Sequence, residues 1–249
     1  MIIADLHTHT MVSNHAYNTI TELAQQAAKV GLAAIAVTDH GPAMPDSPHP
    51  WYFANLVQEL PFVMEGVPVL KGAEANVTNE QGALDFTEQE LQKFDWVIAS
   101  IHNPVMQRNL TKKEATHLWL NIAENPWVDL IGHSELPAYE YDYDEVTKAF
   151  AKNHKVVELN ANSCVIRPAG AANMRRLALT CMKNGTAVAV NSDAHSIYRL
   201  GKVQNIFEML QEIDFPQELI VNLTKERFLN ELNYHNHDTA KKLGGIWNE

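Results

Sequence analysis

Short apolar segments alternate with amphipathic segments along nearly the whole chain, and this alternation constrains the fold most strongly. Seven apolar segments have the length of buried strands: residues 2–6, 32–38, 67–70, 95–100, 127–131, 155–159 and 186–190. Segments with helical spacing of apolar residues separate them. Consecutive parallel strands need helical crossovers, so the pattern predicts one parallel sheet. Both a closed barrel and an open, doubly wound sheet are consistent with this pattern of alternating segments.

Local sequence signals mark the ends of several helices. Thr19 with Glu22 and Thr111 with Glu114 have the spacing of capping boxes, and Asp142 can cap another helix. Gly31 can end the first helix. We expect further helices over residues 53–64, 203–213 and 225–232. No internal linker is visible, so residues 1–249 are expected to form a single domain in which about residues 235–249 are a polar tail.

The composition excludes some classes of protein. The net charge of -11 argues against a non-specific nucleic-acid binder, which normally presents a basic face. Cys164 and Cys181 are too few for a disulfide framework and are expected to be reduced thiols, as in a cytoplasmic protein. The sequence contains no signal-peptide pattern and no apolar run of about 18 residues. We therefore predict a cytoplasmic protein.

Metal-binding residue types follow closely after six of the seven predicted strands. These strand-end residues are His7, His9, His40, Glu74, His102, His133, Asp193 and His195, and His15 lies on the loop after the first strand. In a barrel the carboxyl ends of all strands converge on one face, whereas an open sheet spreads them along a line. The shared position of these residues therefore favours the barrel.

The residue types in this set indicate a metal site. Neutral imidazoles and carboxylates are good ligands for zinc, manganese or iron. The set contains no cysteine, which argues against a closed structural zinc site. Nine such residues exceed the needs of one tetrahedral ion, so we expect two or three ions, bridged by Glu74 or Asp193. Asp5 and Asp39 are expected to orient neighbouring imidazoles.

Five histidines lie away from the strand ends and are expected to be structural. They are His49, His117, His154, His235 and His237. The last two form a second His-X-His pair, which we expect to lie in a solvated turn.

Several motifs, taken in their order along the chain, resemble those of a known family. They are Asp-Leu-His-Thr-His at 5–9, Thr-Asp-His-Gly at 38–41, Gly-Ala-Glu-Ala-Asn at 72–76, Ile-His at 101–102 and Ser-Asp-Ala-His at 192–195. This series resembles the PHP (polymerase and histidinol phosphatase) family, and residues 13–17 and 48–51 resemble its small stand-alone phosphatase branch. The resemblance extends to about Leu232. It implies a distorted (β/α)7 barrel, similar to a TIM barrel, with a trinuclear metal site.

The resemblance also assigns ligands to each ion. His7, His9, Glu74 and Asp193 would hold one ion; Glu74, His102 and His133 would hold a second; His15, His40 and His195 would hold the third. Zinc is the first choice, with manganese or iron as alternatives. The chain departs from the family pattern at Ser134-Glu135 and at Asn103, and Glu135 is expected either at the rim of the site or on a surface loop.

The expected function is that of a metal-dependent phosphoric monoester hydrolase, which cleaves small phosphorylated molecules. Metal-activated hydroxide would attack phosphorus, Glu74 and Asp193 would act through the ions, and Arg167 is the candidate phosphate-binding residue. One alternative is a histidinol-phosphate phosphatase. Others, from different classes, are a nuclease or proofreading accessory of a DNA polymerase and a non-catalytic metal-binding module. We expect no nucleic-acid or membrane partner. The sequence is compatible with a homo-oligomer but does not specify the oligomeric state.

Overall fold

The structure is a computed structural model that describes residues 1–166, 170–235 and 238–248. Its strands are β1 (Ala4–Thr8), β2 (Ala34–Val37), β3 (Val63–Met64), β4 (Val67–Asn76), β5 (Trp96–Ser100), β6 (Leu130–Ile131), β7 (Val156–Asn160) and β8 (Val188–Asn191). Seven of these strands are parallel and lie in the order β1-β2-β4-β5-β6-β7-β8, and β3 is a short antiparallel addition to β4. The predicted distorted (β/α)7 barrel is confirmed.

The barrel closes between β1 and β8 partly through a side chain. The buried amide of Asn222 donates to the carbonyls of Ala4 and Val190, at 2.9 and 2.7 Å, and accepts from the Val190 N–H at 3.1 Å. Farther up, the backbone N–H of His9 donates directly to the carbonyl of Ala194 at 2.9 Å. Buried backbone groups need such partners. The Asn222 side chain therefore replaces backbone hydrogen bonds of the sheet where β1 and β8 are too far apart to pair.

Eleven α-helices surround the sheet within the described ranges. They are α1 (Ile20–Val30), α2 (Pro50–Glu59), α3 (Glu88–Leu91), α4 (Asn103–Met106), α5 (Lys112–Glu124), α6 (Tyr143–Lys152), α7 (Ala161–Ile166), α8 (Ala171–Asn184), α9 (Gln204–Glu212), α10 (Lys225–Tyr234) and α11 (Asp238–Trp247). The capping boxes of α1 and α5 and the left-handed Gly31 are present as predicted. The helix predicted over residues 53–64 instead ends at Glu59, because Pro61 disfavours helical geometry at the residue before it.

Two apolar layers hold the barrel together. The outer layer packs α1, α5, α6 and α8 against one face of the strands. The inner layer contains Leu6, Leu70 and Ile98 from the strands, and Phe228 and Leu243 from α10 and α11 cover it. The amino-terminal end of the barrel is therefore plugged with apolar side chains. This leaves the polar strand residues at the opposite, carboxyl-terminal end.

The carboxyl-terminal segment differs from the expected polar tail. α11 buries Leu243, and Thr239 donates to the carboxylate of Asp95 at 2.6 Å. The side chain of His235 is only 3% exposed and lies 3.1 Å from Asp129, so it is not in a solvated turn. Its predicted partner His237 lies outside the described residues. Among the helices that the structure describes, none combines the length and the apolar character needed to cross a membrane.

Candidate metal centre

Glu74 lies at the centre of a cluster of histidines at the carboxyl-terminal end of the barrel. It occupies the end of β4, and its side chain is 1% exposed. One carboxylate oxygen, Oε2, lies 2.9 Å from Nδ1 of His40, 3.4 Å from Nε2 of His7 and 3.6 Å from Nε2 of His9. The other oxygen, Oε1, lies 3.0 Å from Nε2 of His133 and 3.3 Å from Nε2 of His102. Five imidazoles from the ends of four strands thus surround one carboxylate.

Asp193 is the second carboxylate in the cluster. Its Oδ1 lies 3.2 Å from Nε2 of His9, 3.6 Å from Nε2 of His7 and 3.5 Å from Nδ1 of His195. Asp193 and His133 both adopt positive φ angles, 50° and 25°, which non-glycine residues rarely do. Such backbone geometry is typical of functional sites. It directs these side chains at the ends of β8 and β6 into the cluster.

Gly132 makes room for the turn at His133. A Cβ atom at this position would lie only 2.1 Å from Oγ of Ser100 on the neighbouring strand. A side chain larger than hydrogen would therefore displace the Ser100 hydroxyl and also Cγ2 of Ile98, which would lie 2.8 Å away. The glycine before His133 is therefore a steric requirement of the site.

His15 lies at the outer edge of the cluster. Its side chain is 50% exposed, and its Nε2 lies 2.8 Å from Nε2 of His195. Its Nδ1 contacts the carboxylate of Asp46, on the loop after β2. Two ring nitrogens this close cannot both present lone pairs to each other without a proton or a cation between them.

Several buried polar atoms in the cluster have no hydrogen-bond partner among the described residues. They are Nε2 of His7, Nε2 and Nδ1 of His9, Nδ1 of His40, Nδ1 of His133, Oε2 of Glu74 and Oδ1 of Asp193. Leaving such groups buried and unsatisfied is costly, and a cation would satisfy most of them at once. Three groups of potential ligand atoms each lie within 4.8 Å of one another: His7–His9–Asp193, His40–Glu74–His102 and His9–His40–His195. The donor set therefore fits divalent metal ions.

Hydrogen bonds fix the orientation of three imidazoles. His7 donates from Nδ1 to Glu158 at 2.7 Å, His102 from Nδ1 to Oδ1 of Asn76 at 2.7 Å, and His195 from Nδ1 to the carbonyl of Asp193 at 3.0 Å. Each bond assigns the proton to Nδ1 and leaves a lone pair on Nε2. In His7 and His102 this lone pair faces Glu74, as a ligand histidine requires.

Glu158 is a site residue that the sequence analysis missed. Its fully buried carboxylate on β7 also accepts from the His133 N–H at 2.9 Å and from the Asn160 and Asn191 amides, both at 3.0 Å. The available signal was a charged residue inside an otherwise apolar strand. The strand-end pattern does not include Glu158, because this residue lies within β7 and not after its end.

The electrostatics of the cluster are dominated by burial and by these close pairs. Burial opposes ionisation, but the His102 and His7 imidazoles lower the pKa of Glu74 well below its usual value. Burial likewise opposes charge on His7, but Glu158 and Glu74 raise the pKa of that imidazole. For His102 burial wins, and its pKa falls to about 4. His102 is therefore neutral at physiological pH, which is the state that binds metals.

All nine predicted ligands lie in this cluster or at its edge, but Asp5 and Asp39 do not orient imidazoles. Asp39 accepts from Thr10, Ser13 and Tyr52. Asp5 accepts from Ser192 and from the Gly201 N–H. The predicted role of both residues in orienting imidazoles was wrong, because each carboxylate instead accepts hydrogen bonds from residues of neighbouring segments.

The remaining predicted residues have varied positions. Glu135 is fully buried, so it lies neither at the rim nor on a surface loop. Asn103 begins α4 and accepts from the Tyr139 hydroxyl at 2.7 Å. Arg167 lies outside the described residues, so its role in phosphate binding stays a prediction.

A small cavity of about 290 Å³ opens onto the metal-ligand cluster. Besides potential ligands, its lining contains Met44, Asn162 and Ile166. This volume lies at the lower end of the range for small-molecule sites. The cavity therefore suits a small substrate.

Comparisons with known proteins agree with this geometry. The model of the PHP domain family matches residues 5–162. A probable phosphatase from Acetivibrio thermocellus is 38% identical over 226 residues, which cover 91% of this chain and 93% of the relative. A probable phosphatase from Caldanaerobacter subterraneus is 37% identical over 251 residues, covering 99% and 97%.

Among solved structures, the fold is similar to that of a histidinol phosphate phosphatase from Lactococcus lactis, crystallised with zinc, L-histidinol and phosphate. The TM-score is 0.62 at 20% sequence identity, over 86% of this chain and 94% of that chain. At this identity the likeness shows a shared fold.

Proposed function

The chain belongs to the PHP domain family, and we propose that it is a metal-dependent phosphatase that hydrolyses phosphomonoesters of small molecules. The observation that carries this proposal is the convergence of two buried carboxylates and seven imidazoles on one end of the barrel, where the carboxylates and five of the imidazoles line one small cavity. The relatives at 37–38% identity are named probable phosphatases, which supports the same chemistry.

We propose three divalent ions, with zinc as the first choice. The nearby donors support one position between His7, His9 and Asp193 and a second beside Glu74, His102 and His133. For the third, His15 and His195 face each other through their Nε2 atoms, and His40 lies next to both rings. His9 and His40 each belong to two groups of potential ligands. The assignment of each histidine to a particular ion is therefore itself part of the proposal.

Divalent ions bound here would neutralise phosphate charge and supply a nucleophile from water at neutral pH. The protein's own part is to hold the donors. Glu158 and Asn76 keep His7 and His102 in the tautomer that presents Nε2. Asn160 donates to Oδ2 of Asp193 at 3.2 Å, which leaves Oδ1 facing the histidines. Glu74 reaches imidazoles with both of its oxygens, so it would help to hold more than one ion.

The proposal also includes the domain organisation and the cellular location of the protein. We propose one domain over residues 1–249, since α11 packs into the inner apolar layer of the barrel. We also propose a cytoplasmic location, with which the free thiols of Cys164 and Cys181 are consistent.

Elemental analysis of the purified protein, paired with a phosphatase screen, tests this function. We expect close to three divalent ions per chain and hydrolysis of at least one small phosphomonoester that stops when a chelator removes the ions. Histidinol phosphate and an aryl phosphate belong in the screen, because the first distinguishes a histidinol-phosphate phosphatase from a broader enzyme. A fully metal-loaded protein without activity on any phosphomonoester would contradict the proposal.

A further inference from the structure

Arg199 lies next to the wall of the metal-site cavity. Asn162, on α7, lines this cavity, and Nη2 of Arg199 lies 3.5 Å from its Oδ1. The arginine itself is exposed, and it follows His195 by four residues. The guanidinium therefore lies beside a residue of the cavity wall that is not one of the predicted metal ligands.

The charge of Arg199 has no counter-ion in the described part of the chain. Arg108, Arg175 and Arg176 each pair with a glutamate, whereas no carboxylate of the described residues lies within 4.0 Å of Arg199. A guanidinium has five N–H donors in a planar fork, and only one of them has a partner here. In a chain with a net charge of -11, an unpaired cation beside the cavity would locally attract an anionic group.

The backbone that carries Arg199 is held firmly to the metal site. The N–H of Arg199 donates to the carbonyl of Ser196 at 2.9 Å, and Leu200 is 2% exposed. Gly201 adopts a φ of 70° and donates to the buried carboxylate of Asp5 at 2.9 Å. Asp5 also accepts from Ser192, directly before Asp193. One buried carboxylate thus ties the segment with Arg199 to the segment with a predicted ligand.

We propose that Arg199 determines substrate specificity by binding a second anionic group, a carboxylate or a phosphate, on the substrate. This inference rests on the proposed function. The reacting phosphate would lie against the histidines and carboxylates of the cluster, so the part of the substrate that reaches past Asn162 is the leaving group. A fork of free N–H donors at that point matches the oxygens of an oxyanion. The preferred substrates are therefore small phosphomonoesters with a second negative group.

Two matched pairs of compounds test this inference. Glycerol 3-phosphate and 3-phosphoglycerate differ by a carboxylate, and fructose 6-phosphate and fructose 1,6-bisphosphate differ by a phosphate. For the wild-type protein we expect a higher kcat/KM with the doubly anionic member of at least one pair. The pair with the larger ratio identifies the second group as carboxylate or phosphate. Arg199→Gln should lower kcat/KM for that compound by about 10- to 100-fold and for its partner by less than about threefold.

Arg227→Gln is the matched control. Arg227 also has no paired carboxylate among the described residues, but it is half-buried, donates to the carbonyl of Gln217 at 2.7 Å, and lies on α10 at the opposite end of the barrel. This variant should keep the wild-type ratios. Equal losses on all four compounds in Arg199→Gln, or no loss, would overturn the inference.

A separate readout distinguishes failure of the inference from failure of the proposed function. If the metal-loaded wild type hydrolyses none of the compounds, the proposed function fails. Calorimetric titration of the same four compounds then tests Arg199 by itself. Tighter binding of a doubly anionic compound that disappears in Arg199→Gln supports the inference, and equal affinities in both proteins contradict it.

Discussion

Nδ1 of His7 donates a 2.7 Å hydrogen bond to Oε1 of Glu158, and both side chains are fully buried although 151 positions separate them in the sequence. A carboxylate behind a ligand histidine fixes the ring and makes its other nitrogen more basic. Burial opposes charge on Glu158, but the adjacent His7 imidazole, which donates a hydrogen bond to it, lowers the pKa of this carboxyl. Glu158 therefore adds a third negative charge beneath Glu74 and Asp193.

Glu158→Gln should weaken metal binding. An amide in this position can still occupy the space, but it lacks the negative charge that makes His7 a better donor. We expect a loss of metal affinity of about 10- to 100-fold, which is typical when the partner of a ligand histidine is removed. Titration with zinc against a competing chelator measures it. Glu88→Gln, on an exposed helix start, is the control, and equal affinities in the two variants would refute the role of Glu158.

Glu74→Ala should lose metal and activity together. Both oxygens of Glu74 face imidazoles, so the change removes the one group that contacts five of the predicted ligands. We expect fewer ions per chain by elemental analysis and phosphatase activity reduced by at least about 1,000-fold. A far-ultraviolet circular dichroism spectrum like that of the wild type would show that the fold persists. Full metal content with normal turnover would rule out a bridging role.

Removal of the ions should lower the melting temperature. Without cations, the buried carboxylates and the unpartnered ring nitrogens lose the charges that would satisfy them. An ion present at 100 times its Kd contributes about 2.7 kcal/mol, which corresponds to roughly 5–10 °C for a chain of this size. Differential scanning fluorimetry before and after chelation measures the shift. The shift should shrink in Glu74→Ala; an unchanged shift would mean that the stabilising ions bind elsewhere.

Asn222→Ala should destabilise the barrel without affecting metal binding. It leaves the buried carbonyls of Ala4 and Val190 and one N–H without partners, and each such group costs about 1–3 kcal/mol. We expect a loss of about 3–5 kcal/mol in the free energy of unfolding, measured by urea denaturation. Asn230→Ala, at an exposed position on α10, should change it by less than about 0.5 kcal/mol. Similar stability of the two variants would show that Asn222 does not close the barrel.

Much of the fold could be predicted because its signals are local. Periodicity identified the seven parallel strands, and capping boxes marked the starts of α1 and α5. The predicted end of α2 was wrong, although Pro61, two residues after the observed end, is also a local signal. α11 was missed because its polar composition hid the few residues, such as Leu243, that it buries in the barrel.

By itself, the sequence determined which histidines and carboxylates cluster together, because such a residue at the end of a parallel strand must face the same end of the barrel as the others. Only the tertiary structure decided which other side chains form hydrogen bonds with these residues. Glu158 contacts His7 from a strand more than a hundred residues away, while Asp5 and Asp39 turn to loops instead of imidazoles. Strand position dictates the face on which a side chain lies, but hydrogen-bond partners depend on which distant elements pack beside it.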